Sequence, residues 1–429
     1  MPQARNIFSN NMNVTITPTK LKGSVVIPPS KSLAHRAIIC ACLARGKSVI
    51  SNVALSDDII ATIECMRNLG AKIDVKDGAL EIEGNTEKIS SSLTFDCKES
   101  GSTLRFILPI ALALNDGKNI FVGRGKLGER PMTIYRDICK EQGVEYIDKS
   151  LSNDNHFLDL SVQGKLKSGE YRVNGGVSSQ FITGLLFSLP LLGGDSKIII
   201  EGPLQSVGYL HLTLSALKNF GIEIGYDEDG GVFYINGGQQ YRAQDYYVEG
   251  DYSQAAFYQV ANYLGSDVTM LGLNEDSLQG DKVIVDFMRK LKTAGDGEKL
   301  TFDGSNCPDI IPVFALACCL RQGHTDIVNV SRLKIKECDR LSATAQELGK
   351  LGAKIAQGED FLSIDGVNKL SGGIVDSHGD HRMAMMLSIA STSADGKVTV
   401  LGAQSVSKSY PNFFDHFVSL GGNAIRSAD

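Results

Sequence analysis

The sequence predicts an α/β protein built from six small subdomains that group into two lobes of three. The first observation is a repeat: six times, an amphipathic helix pattern ends at a glycine, and a short apolar strand usually follows. The glycines are Gly70, Gly143, Gly221, Gly295, Gly352 and Gly421. A unit of roughly 70 residues is too long for a solenoid repeat and too short for a typical domain, so the units must pack into larger lobes. The second observation is size, because 429 residues with 42% hydrophobic content can fill more than one core.

Each repeat ends in the same way. The glycine stands where a left-handed residue would close the helix, and the preceding apolar residues keep helical spacing, as in Ile59, Ile63 and Met66. The fourth copy, around Gly295, is degenerate. The glycine-rich stretch from Gly237 to Gly250 is a candidate crossover between lobes, and we expect the first strand to return to the C-terminal half.

Composition restricts the function. The net charge is -6 and the pI about 5.7, so neither nucleic acid nor an anionic membrane is an expected partner. The first 20 residues lack the apolar core of a signal peptide, and the longest apolar runs, 106–114 and 310–320, are too short to span a bilayer. Nine cysteines form no CxxC pair. We therefore expect a cytoplasmic protein with free structural thiols.

The stretch PPSKSLAHR, residues 28–36, predicts an anion site. A short strand over 21–27 stops at two prolines, Ser30 is a good N-cap, and a hydrophobic helix follows. Lys31 and Arg36 then lie at a helix start that is already electropositive, which is unfavourable unless an anion binds there. The alternative is that both side chains extend from a core helix into solvent. This stretch alone leaves the two interpretations open.

Further motifs place cations or hydroxyls at helix edges in the same way. They are ESGSTLR (99–105) with Arg105, GERP (128–131) with Arg130, VSSQF (177–181), KIKECDRL (334–341) with Lys336, Glu337 and Arg340, GDHRMAM (379–385) with Arg382, and SVSKSYP (405–411) with Lys408. Each by itself is more typical of a solvated surface patch than of a binding site. Together, in an acidic chain, they favour anion binding between two lobes. His378, Asp380 and His381 lack further ligands at zinc-like spacing, so no metal site is predicted.

These motifs, in this order, resemble the 5-enolpyruvylshikimate-3-phosphate (EPSP) synthase family over essentially the whole chain. The resemblance implies two lobes, each of three βαβαββ subdomains around a pseudo-threefold axis. One lobe would span residues 29–249, with much of the shikimate 3-phosphate site. The other would combine 1–28 with 250–429 and carry acid/base residues and part of the phosphoenolpyruvate site.

The resemblance also implies an activity. This family, the target of glyphosate, transfers the enolpyruvyl group of phosphoenolpyruvate to the 5-hydroxyl of shikimate 3-phosphate and releases phosphate, a step of aromatic amino-acid biosynthesis. The reaction proceeds by addition and elimination, so it needs acid/base groups and cations but no cofactor and no metal. The implied partners are the two small-molecule substrates, and the chain would be a monomer.

Roles carry over by position. For shikimate 3-phosphate, the resemblance implies Lys31, Ser32, Arg36, Ser178, Ser179, Gln180, Ser206, Asp309 and Lys336. For phosphoenolpyruvate, it implies Lys31, Gly101, Arg130, Gln180, Arg340, Arg382 and Lys408. For proton transfer, it implies Asp309 at the 5-hydroxyl and Glu337 near the methylene, with Lys31 as a possible partner in the acid role.

Four departures from the family pattern affect the phosphoenolpyruvate loop and the Ser206 turn. Glu99 replaces a frequent asparagine, Ser102 a threonine and Phe106 a proline, and no basic residue and proline separate Ser206 from Tyr209. They bear on substrate affinity and glyphosate response. Two alternatives remain at this stage: a UDP-N-acetylglucosamine enolpyruvyl transferase, and an inactive binding module with the same fold.

Overall fold

The computed structural model describes residues 12–85, 87–152 and 157–428. The chain divides into two compact units. Unit 1 comprises Met1–Pro28, Tyr252–Leu273 and Asp281–Asp429, and unit 2 comprises Pro29–Asp251 and Asn274–Gly280. Residues 1–11, with which the predicted 1–28 segment begins, lie outside the described residues, and so does residue 429.

The short segment Asn274–Gly280 belongs to unit 2, although the sequence analysis placed it with residues 250–429. Its polar side chains explain this. Glu249 accepts hydrogen bonds from Asn274 Nδ2 at 2.5 Å, from the Ser277 hydroxyl and from Gln279 Nε2 at 2.8 Å. Gln279 Nε2 also donates to the carbonyl of Gly250 at 2.8 Å. The segment is therefore tied to the last residues of the 29–251 stretch.

Strands and helices alternate along most of the chain. The strands are β1 (Met12–Thr17), β2 (Lys22–Val26), β3 (Lys47–Ser51), β4 (Lys72–Lys76), β5 (Ala79–Glu83), β6 (Leu93–Asp96), β7 (Lys118–Val122), β8 (Glu145–Asp148), β9 (Asp159–Gln163), β10 (Glu170–Asn174), β11 (Ser196–Glu201), β12 (Ile224–Asp227), β13 (Val232–Ile235), β14 (Tyr246–Tyr247), β15 (Asp267–Leu271), β16 (Leu300–Asp303), β17 (His324–Val328), β18 (Lys354–Gln357), β19 (Phe361–Asp365), β20 (Gly373–Asp376), β21 (Val398–Leu401) and β22 (Asn423–Ala428). The helices are α1 (Lys31–Leu43), α2 (Asp57–Asn68), α3 (Gly101–Leu114), α4 (Thr133–Gln142), α5 (Ser179–Ser188), α6 (Val207–Asn219), α7 (Tyr252–Tyr263), α8 (Ile284–Thr293), α9 (Ile311–Cys319), α10 (Arg340–Lys350), α11 (His381–Ala390) and α12 (Phe413–Ser419).

Unit 2 contains three four-stranded sheets with one arrangement. Their strand orders are β14-β3-β5-β4, β6-β7-β9-β8 and β10-β11-β13-β12. In each sheet the first two strands are parallel and the other pairs are antiparallel. The second and third sheets therefore arise from continuous βαβαββ units, since a helix must connect the parallel strands. In the first sheet, β14 comes from the end of the unit instead.

Unit 1 repeats the same arrangement twice and then shortens it. The sheets β16-β17-β19-β18 and β20-β21-β1-β22 have four strands each, whereas β2 and β15 form a parallel two-stranded sheet. β1 pairs antiparallel with β21 and β22, so the first strand does return to the C-terminal half as expected. The predicted α/β fold of repeated subdomains is confirmed, with one subdomain reduced among the described residues.

The repeated glycines close helices in five of the six subdomains. Gly70, Gly143, Gly221, Gly352 and Gly421 have positive φ between 70° and 89°, and each precedes the edge strand of a four-stranded sheet. Gly295 is not among the residues with positive φ, because α8 ends at Thr293 and the extended Ala294 follows it. This degenerate copy belongs to the subdomain with the two-stranded sheet. The defect in the sequence repeat thus marks the subdomain that lacks its last two strands.

Each unit has its own hydrophobic core. In unit 2 the core includes Phe106, Phe181 and Phe187 on the buried helices α3 and α5. In unit 1 every residue of α9 and of α11 is buried. Helices that are buried on all sides form the centre of a domain, so the residues at their N-terminal ends have fixed positions. No helix within residues 12–85, 87–152 and 157–428 is long and apolar enough to cross a membrane.

Candidate active site

The residues singled out by the sequence analysis mostly follow the carboxyl ends of parallel strands. In unit 2, Gly101, Arg130, Ser178 and Ser206 come after β6, β7, β10 and β11, respectively. In unit 1, Asp309 follows β16, and Lys336, Glu337 and Arg340 follow β17. Arg382 follows β20, and Lys408 follows β21. In open α/β sheets, ligands bind in the crevice outside the carboxyl ends of the strands. Within each unit, the fold therefore places these residues at strand ends of the kind where small molecules bind.

Lys31 opens α1 and has an acidic partner. Ser30 caps the helix, as the sequence predicts, by accepting a hydrogen bond from the Leu33 N–H at 3.4 Å. Lys31 Nζ lies 2.7 Å from Asp58 Oδ2, and the two side chains are 16% and 11% exposed. The Lys31 N–H donates to Asp251 Oδ2 at 3.2 Å. The structure thus adds Asp58, in the first turn of α2, as the residue that orients the Lys31 ammonium group.

Arg36 is buried and bound by neutral groups. Its Nε donates to Thr213 Oγ1 at 2.9 Å, and its Nη1 and Nη2 donate to the carbonyls of Ser32 at 2.7 Å and Tyr209 at 2.9 Å. Burial lowers the pKa of Arg36 to about 10. Within the described ranges, no carboxylate lies at ion-pair distance from this guanidinium. A buried cation without a counter-charge is a strong candidate for binding an anion.

The N-terminus of α3 lies against Arg130. A Cβ atom at Gly101 would come within 2.6 Å of Arg130 Nη1, so only glycine permits this approach. Ser100 caps the helix by accepting from the Thr103 N–H at 3.2 Å. Free N–H groups at a helix start and an adjacent guanidinium together favour a negatively charged ligand. Glu99, the unexpected carboxylate of this loop, packs against Gly125.

Gln180 is oriented by α3. Its Nε2 donates to Ser102 Oγ at 2.9 Å, and its Oε1 accepts from Arg105 Nη1 at 2.7 Å. Arg105 also donates to the Pro131 carbonyl at 3.1 Å and lies over the Phe181 ring, 4.9 Å from its centroid. These contacts fix the amide of Gln180 at the start of α5. Arg105 belongs to the ESGSTLR motif, but no role was predicted for it from the sequence.

The hydroxyl residues before α5 and α6 are buried. Ser178 caps α5 by accepting from the Gln180 N–H at 3.3 Å, and Ser179 begins the helix. Ser206 precedes α6 with φ +59°, a left-handed conformation that costs energy for any residue with a side chain. Tyr209 follows in the first turn, and its N–H donates to the Ser206 carbonyl at 3.1 Å. Strain of this kind is concentrated at functional sites.

In unit 1, Arg340 joins three carboxylates. Its Nη1 lies 2.7 Å from Asp309 Oδ1, its Nη2 2.6 Å from Glu337 Oε2, and its Nε 2.7 Å from Asp380 Oδ2. The side chain is 2% exposed. Burial opposes its charge, but Asp380, Glu337 and Asp309 outweigh that effect and raise the pKa of Arg340 well above its usual value. Arg340 is therefore a permanent cation at the centre of this cluster.

The pKa of Asp309 is set by the cations around it. Burial favours its neutral form, but Lys336, Arg340 and Arg382 outweigh burial and hold the pKa of Asp309 well below its usual value. Lys336 Nζ lies 3.4 Å from Asp309 Oδ1, and Arg382 Nη2 lies 3.7 Å from Asp309 Oδ2. Burial lowers the pKa of Lys336, and Asp309 partly offsets this shift. Asp309 is thus ionised at neutral pH and can accept a proton.

Arg382 and Lys408 complete the cluster. Asp380 caps α11 by accepting from the Arg382 N–H at 2.7 Å. Arg382 Nη1 donates to the Ser253 carbonyl at 3.1 Å, and Lys408 Nζ donates to the Gly379 carbonyl at 2.8 Å. The cluster thus holds four basic residues against three acidic ones. The excess of positive charge suits an anionic ligand.

The structure brings the predicted residues together in two groups, one in each unit. Unit 2 holds Lys31, Ser32, Arg36, Gly101, Arg130, Ser178, Ser179, Gln180 and Ser206. Unit 1 holds Asp309, Lys336, Glu337, Arg340, Arg382 and Lys408. Sequence reasoning missed two carboxylates that bind the cations, Asp58 and Asp380. Both occupy the start of a helix, where an acidic residue usually serves only as a cap.

His378 and Cys338 neighbour the unit 1 cluster. His378 Nε2 lies 2.8 Å from the buried Glu347 Oε1. The described residues contain no group of three or more histidine, cysteine or acidic side chains that could hold a metal ion. Cys338 Sγ lies 3.7 Å from Asp380 Oδ2, and burial raises the pKa of this thiol, so it stays protonated.

Comparison with known proteins identifies the family. The model of the EPSP synthase (3-phosphoshikimate 1-carboxyvinyltransferase) family matches residues 16–417. The 3-phosphoshikimate 1-carboxyvinyltransferase of Clostridium beijerinckii is 51% identical over 434 residues, covering 96% of this chain and 98% of its own. That of Clostridioides difficile is 50% identical over 436 residues, with the same coverage.

The fold agrees with this assignment. An EPSP synthase structure from Acinetobacter baumannii superimposes with a TM-score of 0.77 at 21% identity, covering 97% of this chain and 100% of that one. At this identity the likeness shows the fold alone. The similarity to the clostridial relatives, in contrast, is a similarity of sequence over almost the full length of the chain. The chain therefore belongs to the EPSP synthase (3-phosphoshikimate 1-carboxyvinyltransferase) family.

Proposed function

We propose that this chain transfers the enolpyruvyl group of phosphoenolpyruvate to the 5-hydroxyl of shikimate 3-phosphate, with release of phosphate. The observation that carries the proposal is the unit 1 cluster, in which the ionised Asp309 contacts Lys336 and Arg340. A carboxylate that can take a proton, among cations that can hold anions, matches a reaction between two anionic substrates. Membership of the family supports the same conclusion.

Shikimate 3-phosphate would bind through its carboxylate and its phosphate. We assign the carboxylate to Arg36 with Ser32 and Lys31, because the Arg36 guanidinium has neutral partners that leave its charge for a ligand. We assign the phosphate to Ser178, Ser179, Ser206 and Lys336. The strained backbone of Ser206 supports this part of the assignment.

Phosphoenolpyruvate would bind at the N-terminus of α3 and to basic residues. We assign it to the Gly101 N–H with Arg130, and to Arg340, Arg382, Lys408 and Lys31, with Gln180 beside both substrates. The close approach of Arg130 to Gly101 supports a shared anion site. Arg340 binds three carboxylates, so a substrate anion would have to replace part of that set.

The proton transfers fall to the two acids. Once a substrate anion has replaced it at Arg340, Glu337 would take up a proton from solvent. Assisted by Lys31, it would then give this proton to the methylene carbon of phosphoenolpyruvate, while Asp309 takes the proton of the attacking hydroxyl. The carbon–oxygen bond then forms, giving a tetrahedral ketal. Loss of a methyl proton to Glu337 and departure of phosphate, which takes up the proton from Asp309, restore the double bond and both residues.

The lowered pKa of Asp309 makes it a weak base beside these cations. Its pKa is low because Lys336, Arg340 and Arg382 are its neighbours. Substrate phosphates and carboxylates that pair with those cations would reduce their effect on Asp309 and raise its pKa. Binding of both anions would therefore make Asp309 a stronger base at the moment of reaction.

The proposal also includes the setting in which the reaction takes place. The net charge of -6 and the absence of bulk basic character favour small-molecule substrates over nucleic acid. A cytoplasmic location and a monomeric state are parts of the proposal that follow from the sequence expectations. Gel filtration with light scattering tests the oligomeric state.

The test of the proposal is phosphate release from phosphoenolpyruvate with two acceptors in parallel. Phosphate should be released with shikimate 3-phosphate and not with UDP-N-acetylglucosamine. Asp309→Asn should lower the rate by about a hundredfold or more, the usual scale for an acid/base group. Asp395→Asn, which removes a surface carboxylate paired with Lys369 at 2.7 Å, is the matched control and should keep the rate. Phosphate release only with UDP-N-acetylglucosamine, or no release with either acceptor, would refute the proposal.

A further inference from the structure

A buried chain of hydrogen bonds crosses three helices of unit 2 and ends at the predicted phosphoenolpyruvate loop. His35 Nδ1 on α1 lies 2.8 Å from Thr62 Oγ1 on α2, which lies 2.8 Å from Thr103 Oγ1 on α3. Thr103 Oγ1 lies 2.8 Å from the Oγ of Ser100, the N-cap of α3. All four residues are at most 1% exposed. None of them had a role in the sequence analysis.

The direction of this chain follows from its last link. Thr103 Oγ1 is the donor to Ser100 Oγ, and a hydroxyl has one hydrogen. Thr62 must therefore donate to Thr103, and its oxygen must accept from His35. His35 Nδ1 consequently carries a hydrogen. The Thr103 hydroxyl also lies 3.4 Å from the Asp58 carbonyl, a longer contact that does not change this order.

The surroundings of His35 fit one neutral tautomer. Nε2 is buried, and no described residue lies within hydrogen-bond reach of it. A buried N–H without a partner is rarer in proteins than an unsatisfied acceptor, so Nε2 should carry only its lone pair. Burial, with Lys31 and Arg36 nearby, holds the pKa of His35 well below its usual value, which excludes the doubly protonated form. The edge contact with Phe106, at 6.2 Å and 87°, holds the ring in place.

The result at the loop is a defined arrangement of Ser100. Its Oγ accepts from both the hydroxyl and the N–H of Thr103, so its two acceptor sites are occupied. Its own hydrogen finds no acceptor among the described residues. Ser100 directly precedes Gly101, at the helix start where Arg130 also lies. This chain of hydrogen bonds therefore fixes the first turn of α3 and presents one more hydrogen-bond donor there, the Ser100 hydroxyl.

We propose that His35 is a positioning residue which, through Thr62 and Thr103, fixes the Ser100–Gly101 turn and directs the Ser100 hydroxyl hydrogen towards a bound anion. The inference rests on the proposed function, in which the anion is phosphoenolpyruvate. His35 touches no substrate group in this scheme. It acts through the three hydroxyls.

The first test is the protonation state of His35, which does not depend on catalysis. The chain has seven histidines, and nitrogen-15 NMR of their rings, with the His35 signals identified by their loss in His35→Asn, separates the tautomers. A proton on Nδ1 and an unprotonated Nε2 across the neutral pH range are expected. A proton on Nε2, or an imidazolium that forms near neutral pH, would overturn the inference.

The second test is kinetic. Thr62→Val keeps the side-chain shape and removes one link, so the KM for phosphoenolpyruvate should rise about fivefold, a typical loss for one hydrogen bond, while the KM for shikimate 3-phosphate stays within about twofold. Thr392→Val is the matched control, because Thr392 is also buried and donates only to a nearby carbonyl, that of Ile389, at 2.8 Å. It should change neither constant. Equal effects of the two variants, or equal changes in both KM values, would overturn the inference.

A pair of substitutions at His35 itself completes the design. Asn has an amide nitrogen close to the position of Nδ1, so His35→Asn should restore the donor to Thr62 and keep the KM for phosphoenolpyruvate near wild type. His35→Leu should behave like Thr62→Val. If the wild type releases no phosphate with shikimate 3-phosphate, the proposed function fails. The tautomer of His35 still decides the direction of the hydrogen bonds from His35 to Ser100.

Discussion

Asp380 offers a sharp test of the unit 1 cluster, because one carboxylate there has two tasks. Its Oδ1 accepts from the Arg382 N–H at 2.7 Å and from Arg340 Nη2 at 3.3 Å, and its Oδ2 accepts from Arg340 Nε at 2.7 Å. The residue is 0% exposed. Asp380→Asn keeps the shape of the side chain while it removes the charge, so the variant tests the ion pair.

The expected loss can be estimated from these contacts. Asparagine has one carbonyl oxygen, so its amide nitrogen must face either the Arg382 N–H or an N–H of Arg340, donor against donor. A buried donor without an acceptor costs about 1–3 kcal/mol, and breaking a buried ion pair costs about 3–5 kcal/mol. Because these two costs overlap, Asp380→Asn should lower the free energy of unfolding of unit 1 by about 3 kcal/mol.

Asp339 provides the matched control. It caps α10, accepting from the Ser342 N–H at 3.1 Å and the Ser342 hydroxyl at 2.8 Å, and no described cation lies at ion-pair distance. Asparagine caps helices as well as aspartate does, so Asp339→Asn should change the free energy of unfolding by less than about 0.5 kcal/mol. Urea unfolding followed by far-UV circular dichroism measures both variants. Equal stabilities would show that the Asp380–Arg340 pair is not a stabilising contact.

The other predictions concern catalysis and pH. Arg382→Lys should raise the KM for phosphoenolpyruvate about tenfold and spare calorimetric binding of shikimate 3-phosphate, because lysine lacks the guanidinium geometry; the reverse pattern would refute the assignment. Glu337→Gln should lower turnover by about a hundredfold or more and slow deuterium exchange into the phosphoenolpyruvate methylene, and normal exchange would move the donor role elsewhere. Asp309 has a lowered pKa, so its stabilising effect is present above about pH 4 and lost as the pH falls further. The difference in the free energy of unfolding between wild type and Asp309→Asn should stay constant above that pH and shrink below it. A difference that grew in acid would contradict this. Gly101→Ala should displace Arg130 and raise the KM for phosphoenolpyruvate, whereas an equal rise for shikimate 3-phosphate would argue for general damage to the fold.

The fold was predictable because its repeat is written in local chemistry. A glycine that ends an amphipathic helix needs a left-handed conformation whatever lies around it, and five of the six positions have it. The sequence also showed that the copy at Gly295 was degenerate. It could not show that this unit has a two-stranded sheet, since strand pairing joins distant segments, such as β2 with β15.

The site was predictable in part, for a related reason. Cations at helix starts are visible in the sequence because a helix start is already electropositive, so Lys31, Arg36 and Arg382 attract attention. Their counter-charges are not visible in this way. Asp58 is 27 residues from Lys31 in the chain, and only the packing of α1 against α2 brings the two together. The family resemblance supplied the substrate roles, which no spacing of residues could supply.

The ion pairs of Arg340 show how the chain keeps so many cations together. Lys336, Arg340 and Arg382 all lie within 4 Å of Asp309, and like charges this close repel strongly at low dielectric. The carboxylates of Asp309, Glu337 and Asp380 supply the compensating charge. Asp380 is wholly buried and fixed as a helix cap, whereas Asp309 and Glu337 are 22% and 17% exposed. A substrate anion would therefore displace the two exposed carboxylates and leave Asp380 in place. The carboxylates it would release are the two that carry the proposed proton transfers, so binding and activation of the acid/base pair would be one event.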